Sequence, residues 1–215
     1  MPAKAPALSK EKQTLILNAA QKRFAVYGLG KVTMDEIAAD IGMGKASLYY
    51  YFPTKDHLFR SVIAREQMEF MERLQAVLRL DISAGEKLRR YTEQRLTYIK
   101  TLLNLQFLSF DSYFSPKPLI RDLFESFAAE EQKRLTEVIR EGKRTGEFEV
   151  KSPEITATLL LHILQGLRLR MLKATQFSKV SDAESDTLAK ETRLAVNVFL
   201  HGINKTKSPL KAERA

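Results

Sequence analysis

The stretch GMGKASLYYYFPTKDHLF, Gly42 to Phe59, concentrates the groups of this chain best suited to holding an anion or reading a base edge. Lys45 supplies an ammonium, Ser47 a hydroxyl that donates or accepts, and Tyr49, Tyr50 and Tyr51 three phenols in succession. Such groups hydrogen-bond phosphate oxygens and the donor and acceptor edges of base pairs. Ala46 adds a side chain small enough for close approach and able to touch a thymine methyl. Neither Gly42-Met43-Gly44-Lys45 nor Gly28-Leu29-Gly30-Lys31 completes a nucleotide phosphate loop, because the first glycine and the Ser/Thr after the lysine are both missing. The glycine pairs also fail the dinucleotide pattern, and neither a paired-histidine helix motif nor a Gly-x-Ser-x-Gly elbow occurs. Binding rather than catalysis is the chemistry these residues suggest.

Whether those groups reach a partner depends on the helix that carries them. Pro53 forces its predecessor out of the helical region and Thr54 can cap a fresh start, so a short helix is expected over roughly 44–52. At about 100° per residue with Leu48 at zero, Gly44 and Phe52 fall about 40° to either side, Ala46 near 160° and Tyr50 near 200°. Gly44, Leu48 and Phe52 therefore form the inward stripe, and Ala46 and Tyr50 face outward. Lys45 with Tyr49, and Ser47 with Tyr51, occupy the two flanks.

Upstream, Thr33-Met34-Asp35-Glu36 fits a capping box opening a helix of about eight residues. That helix turns Ile37, Ala38 and Ile41 inward and stops at Gly42, which tolerates the left-handed conformation. Before it, Leu15, Ile16, Ala19, Ala20, Phe24 and Tyr27 recur at helical steps, with Gly28 as C-cap. A short helix, a glycine turn and a second helix exposing Lys, Ala, Ser and Tyr make a helix-turn-helix, whose second helix enters the major groove of DNA. On this reading Lys45, Ala46 and Ser47 meet base edges, and Thr33 and the tyrosine hydroxyls meet phosphates. Lys55 lies in the first turn of the next helix, where the macrodipole disfavours a cation, and is assigned a phosphate. The three tyrosines and Lys45 also fit a solvated surface or a protein contact.

The 215 residues carry a formal net charge of +9, unevenly placed. Residues 1–60 hold nine Lys/Arg against five Asp/Glu, and the last eleven residues hold four against one. The centre is nearly balanced, so an anion-binding module at the N-terminus is the sharper reading of the basic excess. With no cysteine, disulfides, thiolate metal sites and cysteine nucleophiles are excluded. Neither a signal peptide nor a membrane span is evident, so the cytoplasm is expected, and no metal or cofactor is expected either. Downstream of Pro53 the pattern stays helical: a long amphipathic helix over about 55–79, then four further long patterns starting near Ser83, Lys117, Ser152 and Asp182. His162, alone on an apolar helix, is expected to be a hydrogen-bonded interior residue. The faces in ITATLLLHILQGLRLRML and ETRLAVNVFLHGI carry more apolar surface than one buried stripe needs, which suits a subunit interface. Around a proline break, Phe107, Phe110, Tyr113, Phe114 and Phe127, with Tyr98 upstream, are candidates for lining a small-molecule pocket, although such rings also serve as plain core.

From Ile16 to Phe59 the sequence resembles the N-terminal domain of the TetR family of bacterial transcriptional regulators. The resemblance rests on Ala19-Ala20, Phe24, Gly28, Thr33, Ile37-Ala38, the glycine turn, Leu48-Tyr49-Tyr50-Tyr51-Phe52, Lys55 and Leu58-Phe59. It implies an all-α subunit of about nine helices. An N-terminal three-helix domain over 1–54 would bind DNA, a larger helical domain over 55–204 would bind an effector and dimerise, and 205–215 would be a basic tail. It further implies a homodimer through the last two long helices, a near-palindromic double-stranded operator, and release by a small-molecule effector, repression being the family's commoner outcome. By position, Lys45, Ala46, Ser47, Tyr49 and Tyr50 take base-reading roles and Thr33, Tyr50, Tyr51 and Lys55 phosphate roles. Tyr51 stands where many members have histidine. An effector-independent DNA-binding protein with an architectural or cell-division role fits the same N-terminal motif.

Overall fold

In the computed structural model, which describes residues 5–99, 118–174 and 182–205, eight α-helices and no strand are found among the described residues. They are α1 (Ala5–Lys31), α2 (Met34–Asp40), α3 (Lys45–Tyr51), α4 (Lys55–Leu78), α5 (Ala84–Ile99), α6 (Pro118–Thr145), α7 (Pro153–Ala174) and α8 (Asp182–Ile203). The described residues form two compact units, one drawn from residues 1–72 and 98–125, the other from 73–97 and 126–215.

The first unit is built from local signals that agree with one another. Gly28 interrupts α1 with a φ of 73°, at the place expected for a helix end, and a last turn follows to Lys31. Thr33 then caps α2: its hydroxyl accepts from the Glu36 amide at 3.3 Å, and the Glu36 carboxylate accepts from the Thr33 amide at 2.8 Å. At the other end Gly42 takes a φ of 61°, which lets the Met43 amide reach the Ala38 carbonyl at 2.9 Å and the Gly42 amide reach Ala39 at 3.2 Å. This pair of bonds closes the helix and reverses the chain within a few residues. Thr54 caps α4 by accepting from the His57 amide at 3.1 Å.

Ile16, Ala20 and Phe24 of α1, Ile37 and Ala38 of α2, Leu48 and Phe52, and Leu58, Phe59, Val62 and Ile63 of α4 are buried. The Phe24 and Phe59 rings meet edge to face at 5.1 Å, a favourable aromatic geometry. A polar seam also joins α1 and α4: Gln21 donates to the buried Glu66 carboxylate at 2.8 Å, while Arg65 donates to Asn18 at 2.9 Å and to Gln21 at 2.7 Å. Three expectations are corrected here. Leu15 and Tyr27 are exposed at 47% and 56%, because the inward arc of α1 is narrower than the apolar arc of its sequence. Tyr27 lies instead beneath the Arg23 guanidinium, 5.9 Å from ring centroid to charge. Gly44 is exposed, since it is the extended N-cap of α3 and not part of the helical wheel.

The second unit packs Leu88 and Tyr91 of α5, Leu135, Val138 and Ile139 of α6, Ala157, Leu160, Leu161 and Leu164 of α7, and Leu188, Val196, Phe199 and Leu200 of α8. Gly142 is required by close packing, since a Cβ there would stand 2.2 Å from the buried Phe148 ring. The Glu147 carboxylate accepts from the Ala84 and Gly85 amides at 2.8 and 2.9 Å and so satisfies the open N-terminus of α5. His162 is exposed on α7, a correction to its expected interior position; the buried arc of that helix runs through Ala157, Leu160, Leu161 and Leu164 instead.

One charged cluster lies inside this unit. Arg95 donates from Nε and a terminal nitrogen to the two Glu131 oxygens at 2.7 and 3.2 Å, and the Tyr91 hydroxyl donates to the same carboxylate at 2.7 Å. All three side chains are buried. Burial pulls the Arg95 pKa down, and the adjoining Glu131 carboxylate more than reverses this, so Arg95 stays charged. Burial, reinforced by Glu131, pushes the Tyr91 phenol well up. Glu131→Ala should therefore cost about 3–5 kcal/mol of unfolding free energy, the penalty of leaving a guanidinium buried without its partner. Denaturant unfolding of the two proteins checks this; a loss below about 1 kcal/mol, the value of an exposed pair, would contradict it.

Candidate nucleic-acid interface

Helix α3 has seven residues, too few to hold together alone in water, so it depends on what it packs against. Leu48 is fully buried and Phe52, its C-cap, is 5% exposed; together they pin the helix against the first unit. With that face fixed, the helical period decides the rest. Tyr50 projects into solvent at 82% exposure, Tyr49 is 39% exposed, and Lys45, Ala46 and Ser47 are exposed. Tyr51 is half-buried and meets the Tyr50 ring edge to face at 5.3 Å. The fan of rings expected from the sequence is therefore the arrangement observed.

The flanking groups have partners that the sequence did not reveal. Lys45 donates to Asp35 of α2 at 2.8 Å and lies 6.0 Å from the Tyr49 ring centroid. The bond that Lys45 donates to Asp35 raises the Lys45 pKa. Lys55 donates to the Val32 carbonyl at 2.9 Å, so a partner within the fold accounts for a cation in the first turn of α4 without a phosphate. Thr33 is exposed, and its hydroxyl also donates to Glu36 at 2.8 Å, so a phosphate would compete with the cap for it. Arg23 of α1 grips α2 by a two-pronged bond to Asp40, with the NH2–Oδ1 arm at 2.7 Å, and lies 3.4 Å from Glu36. The Asp35 and Asp40 contacts have no signature in the sequence, where both aspartates read as ordinary polar positions of α2; charge pairing between separate helices leaves no periodic trace.

Of the expected effector-lining residues, Phe127 is described and is 6% exposed. Phe107, Phe110, Tyr113 and Phe114 lie outside the described residues, as does the side chain of Tyr98 in α5. A cavity of about 100 Å³ in the second unit is lined by Arg89, Glu93, Leu96, Arg193 and Asn197 among others, and by none of those rings. It is smaller than the roughly 300 Å³ from which small-molecule pockets usually start. Among the described residues no helix is long and apolar enough to cross a membrane.

Residues 16–62 match the family model for bacterial regulatory proteins of the tetR family. The chain is 40% identical to a transcriptional regulator from Cytophaga hutchinsonii of known crystal structure, with a TM-score of 0.77 over 90% of this chain and 99% of that one. It is 25% identical to a regulator from Saccharomonospora viridis crystallised with choline, at a TM-score of 0.70 over 91% and 99% of the two chains. It is also 26% identical over 201 residues to the nucleoid occlusion factor SlmA of Cronobacter sakazakii, spanning 86% of this chain and 95% of that protein.

The bond from Arg23 holds the Asp40 pKa below the usual carboxylate value, and bonds from the Thr33 backbone and then its side chain do the same for Glu36. A carboxylate whose folded pKa is depressed adds stability that is present above its unfolded pKa and is lost as the pH falls through the folded one. Asp40→Asn should therefore lower the melting temperature near neutral pH, and its deficit relative to the parent should shrink below about pH 4. Thermal melts followed by circular dichroism across that range test this; a deficit independent of pH would show that the Asp40 charge is not what holds α2 to α1.

Proposed function

We propose that this chain, which belongs to the TetR family of DNA-binding bacterial transcriptional regulators, reads a near-palindromic operator as a homodimer, with α3 in the major groove, and is released from it by a small-molecule effector. The observation that carries this reading is the division of α3 into a face pinned by Leu48 and Phe52 and an opposite face of Ala46, Ser47 and Tyr50 open to solvent. Lys45, Ala46, Ser47, Tyr49 and Tyr50 take the base-reading roles, and Thr33, Tyr50, Tyr51 and Lys55 the phosphate contacts, Lys55 through the ammonium donors that its bond to the Val32 carbonyl leaves over. Residues 1–54 form the DNA-binding portion, 55–204 the effector-binding and dimerising portion, and 205–215 a basic tail. Repression is the expected output, since a dimer seated on an operator blocks polymerase from the DNA it covers.

Exposed apolar side chains support the dimer. Ile155 and Leu159 of α7 and Leu194 and Val198 of α8 are exposed at 73%, 53%, 65% and 64%. Each pair is spaced by one helical turn, so each helix presents a stripe, and stripes of this kind mark surfaces that another subunit covers. The buried Phe127, with Tyr98, Phe107, Phe110, Tyr113 and Phe114, is assigned to the effector site, consistent with a relative crystallised with choline.

A second reading, DNA binding without an effector in chromosome organisation or cell division, is favoured by the likeness to the nucleoid occlusion factor SlmA. Genome-wide footprinting separates the two: one or a few promoter sites support the regulator, many dispersed sites the architectural role.

Selection of duplexes from a random pool should return an inverted repeat. Tyr50→Ala should weaken binding to it by about tenfold or more, and wild-type affinity should fall steeply with salt as phosphate contacts release counterions. A flat salt response or an unaffected Tyr50→Ala would defeat the assignment of α3. The double variant Leu194→Asp, Val198→Asp should shift sedimentation from dimer to monomer at concentrations where the parent is dimeric; a dimer that persists unchanged would move the interface elsewhere.

A further inference from the structure

We propose that Asp35 is a specificity-determining residue of the DNA-facing surface: its carboxylate occupies the Lys45 ammonium, so that a base edge offering acceptors, and not a phosphate alone, draws that lysine into contact. The inference rests on the reading of α3 as the groove-entering helix and concerns a residue of α2 to which that reading assigns no role.

The two side chains meet across separate helices, Nζ to Oδ2 at 2.8 Å, and both stay largely in solvent, at 61% and 59% exposure. Asp35 thus sets a negative charge at the amino end of the helix that faces a polyanion. Stability does not explain it. An exposed pair of this kind contributes little. Glu36 already supplies a carboxylate to the first turn of α2, and Arg23 with Asp40 already ties that helix to α1. What remains is the effect of the carboxylate on Lys45.

A free lysine is a compact point charge that satisfies itself on any phosphate, which adds affinity without sequence preference. Held by Asp35, the ammonium has spent part of its charge and one of its three donors, and its stem is directed along the flank of α3 beside Tyr49. A phosphate approaching it must compete with a carboxylate and is repelled by that same carboxylate. The neutral acceptors of a guanine edge meet no such repulsion, and the remaining donors can reach them with the pair intact. An intact pair also displaces no condensed counterion. Asp35 therefore weakens binding to arbitrary sequence more than binding to the operator, and the ratio between them rises.

The test uses the full chain and two probes: the consensus duplex that the wild type recovers from a random pool, and a scrambled duplex of the same length and composition. Asp35→Asn keeps the shape and an acceptor for Lys45 while removing the charge. Fluorescence anisotropy across a salt series should show scrambled-duplex affinity rising by about three- to tenfold near 0.1 M salt, with its log–log salt slope steeper by about 0.9 for each lysine released to a phosphate. Consensus affinity should change less, so the discrimination ratio falls. Adding Lys45→Ala to Asp35→Asn should abolish the gain on the scrambled duplex. An unchanged ratio and slope in Asp35→Asn, an equal loss on both duplexes, or a gain that persists without Lys45 would each overturn the proposal. Circular dichroism melts of both variants establish that folded proteins are compared. Failure of the wild type to bind any duplex would defeat the DNA-binding reading itself, whereas wild-type binding with an unaltered Asp35→Asn would defeat this inference alone.

Discussion

The anchoring of α3 by Leu48 and Phe52 is the constraint on which the rest of the N-terminal unit turns. A helix of seven residues has too few internal bonds to offset the cost of starting it, so its conformation is borrowed from the core it touches. Two side chains four residues apart fix its rotation, and a fixed rotation leaves Ala46, Ser47 and Tyr50 no direction but outward. The surrounding devices serve that anchorage. The capping box at Thr33 and the two bonds around Gly42 set where α2 begins and ends, and hence where α3 can start. Pro53 and the Thr54 cap end one helix and open the next, with Phe52 turned in against His57 at a ring separation of 5.7 Å.

The second unit solves a different problem. Its helices are long enough to stand on their packing, and its unusual feature is the burial of Arg95, Glu131 and Tyr91 in one hydrogen-bonded group. Replacing such a group by apolar side chains often costs nothing in stability, so its presence is better explained by geometry than by strength. The bonds from Tyr91 and Arg95 of α5 converge on one carboxylate of α6, which fixes the register of these two helices at that level more narrowly than interchangeable leucines would. Farther along, Lys87 and Glu141 repeat the link at 2.8 Å nearer the turn where Glu147 caps α5.

Much of this is legible in the sequence, and the boundary has a physical reason. Turn chemistry is local: a threonine three residues before a glutamate, a glycine after an apolar run and a proline after an aromatic one each act within a few bonds, so the ends of α2, α3 and α4 are readable. Rotation of α3 is readable because 3.6-residue periodicity needs no knowledge of the partner surface. The wheel fails at Gly44, which has cap geometry, and at Tyr27 and His162, where an apolar or aromatic neighbourhood in sequence does not say which arc the tertiary contacts choose. Pairing between helices is not readable at all. Lys45 with Asp35 and Arg23 with Asp40 join different helices, and the aspartates are ordinary polar positions until the chain folds; Lys55 reaches the backbone carbonyl of Val32 in the loop before α2, an acceptor that no side-chain pattern marks.

Those pairings change what the basic composition means. Counted from the sequence, the first sixty residues look like a diffuse cationic cushion, with nine Lys/Arg against five Asp/Glu. In the folded unit, Arg23 is spent on Asp40 and Glu36, Lys45 is shared with Asp35, and Lys55 is turned to a backbone carbonyl. A cushion of free cations would hold any stretch of duplex and gain little from the right one, since counterion release is indifferent to sequence. On the proposed reading, committing cations to partners inside the protein lowers that indifferent attraction and would leave the contacts of Ala46, Ser47 and the tyrosines to decide where the protein stays. One α3 offers few such contacts, and discrimination among many sites needs more base pairs than it can span. For the proposed dimer, restrained charge on each reading surface and two copies of that surface would thus be parts of one solution, because doubling the base contacts would restore the affinity that the internal pairings withhold.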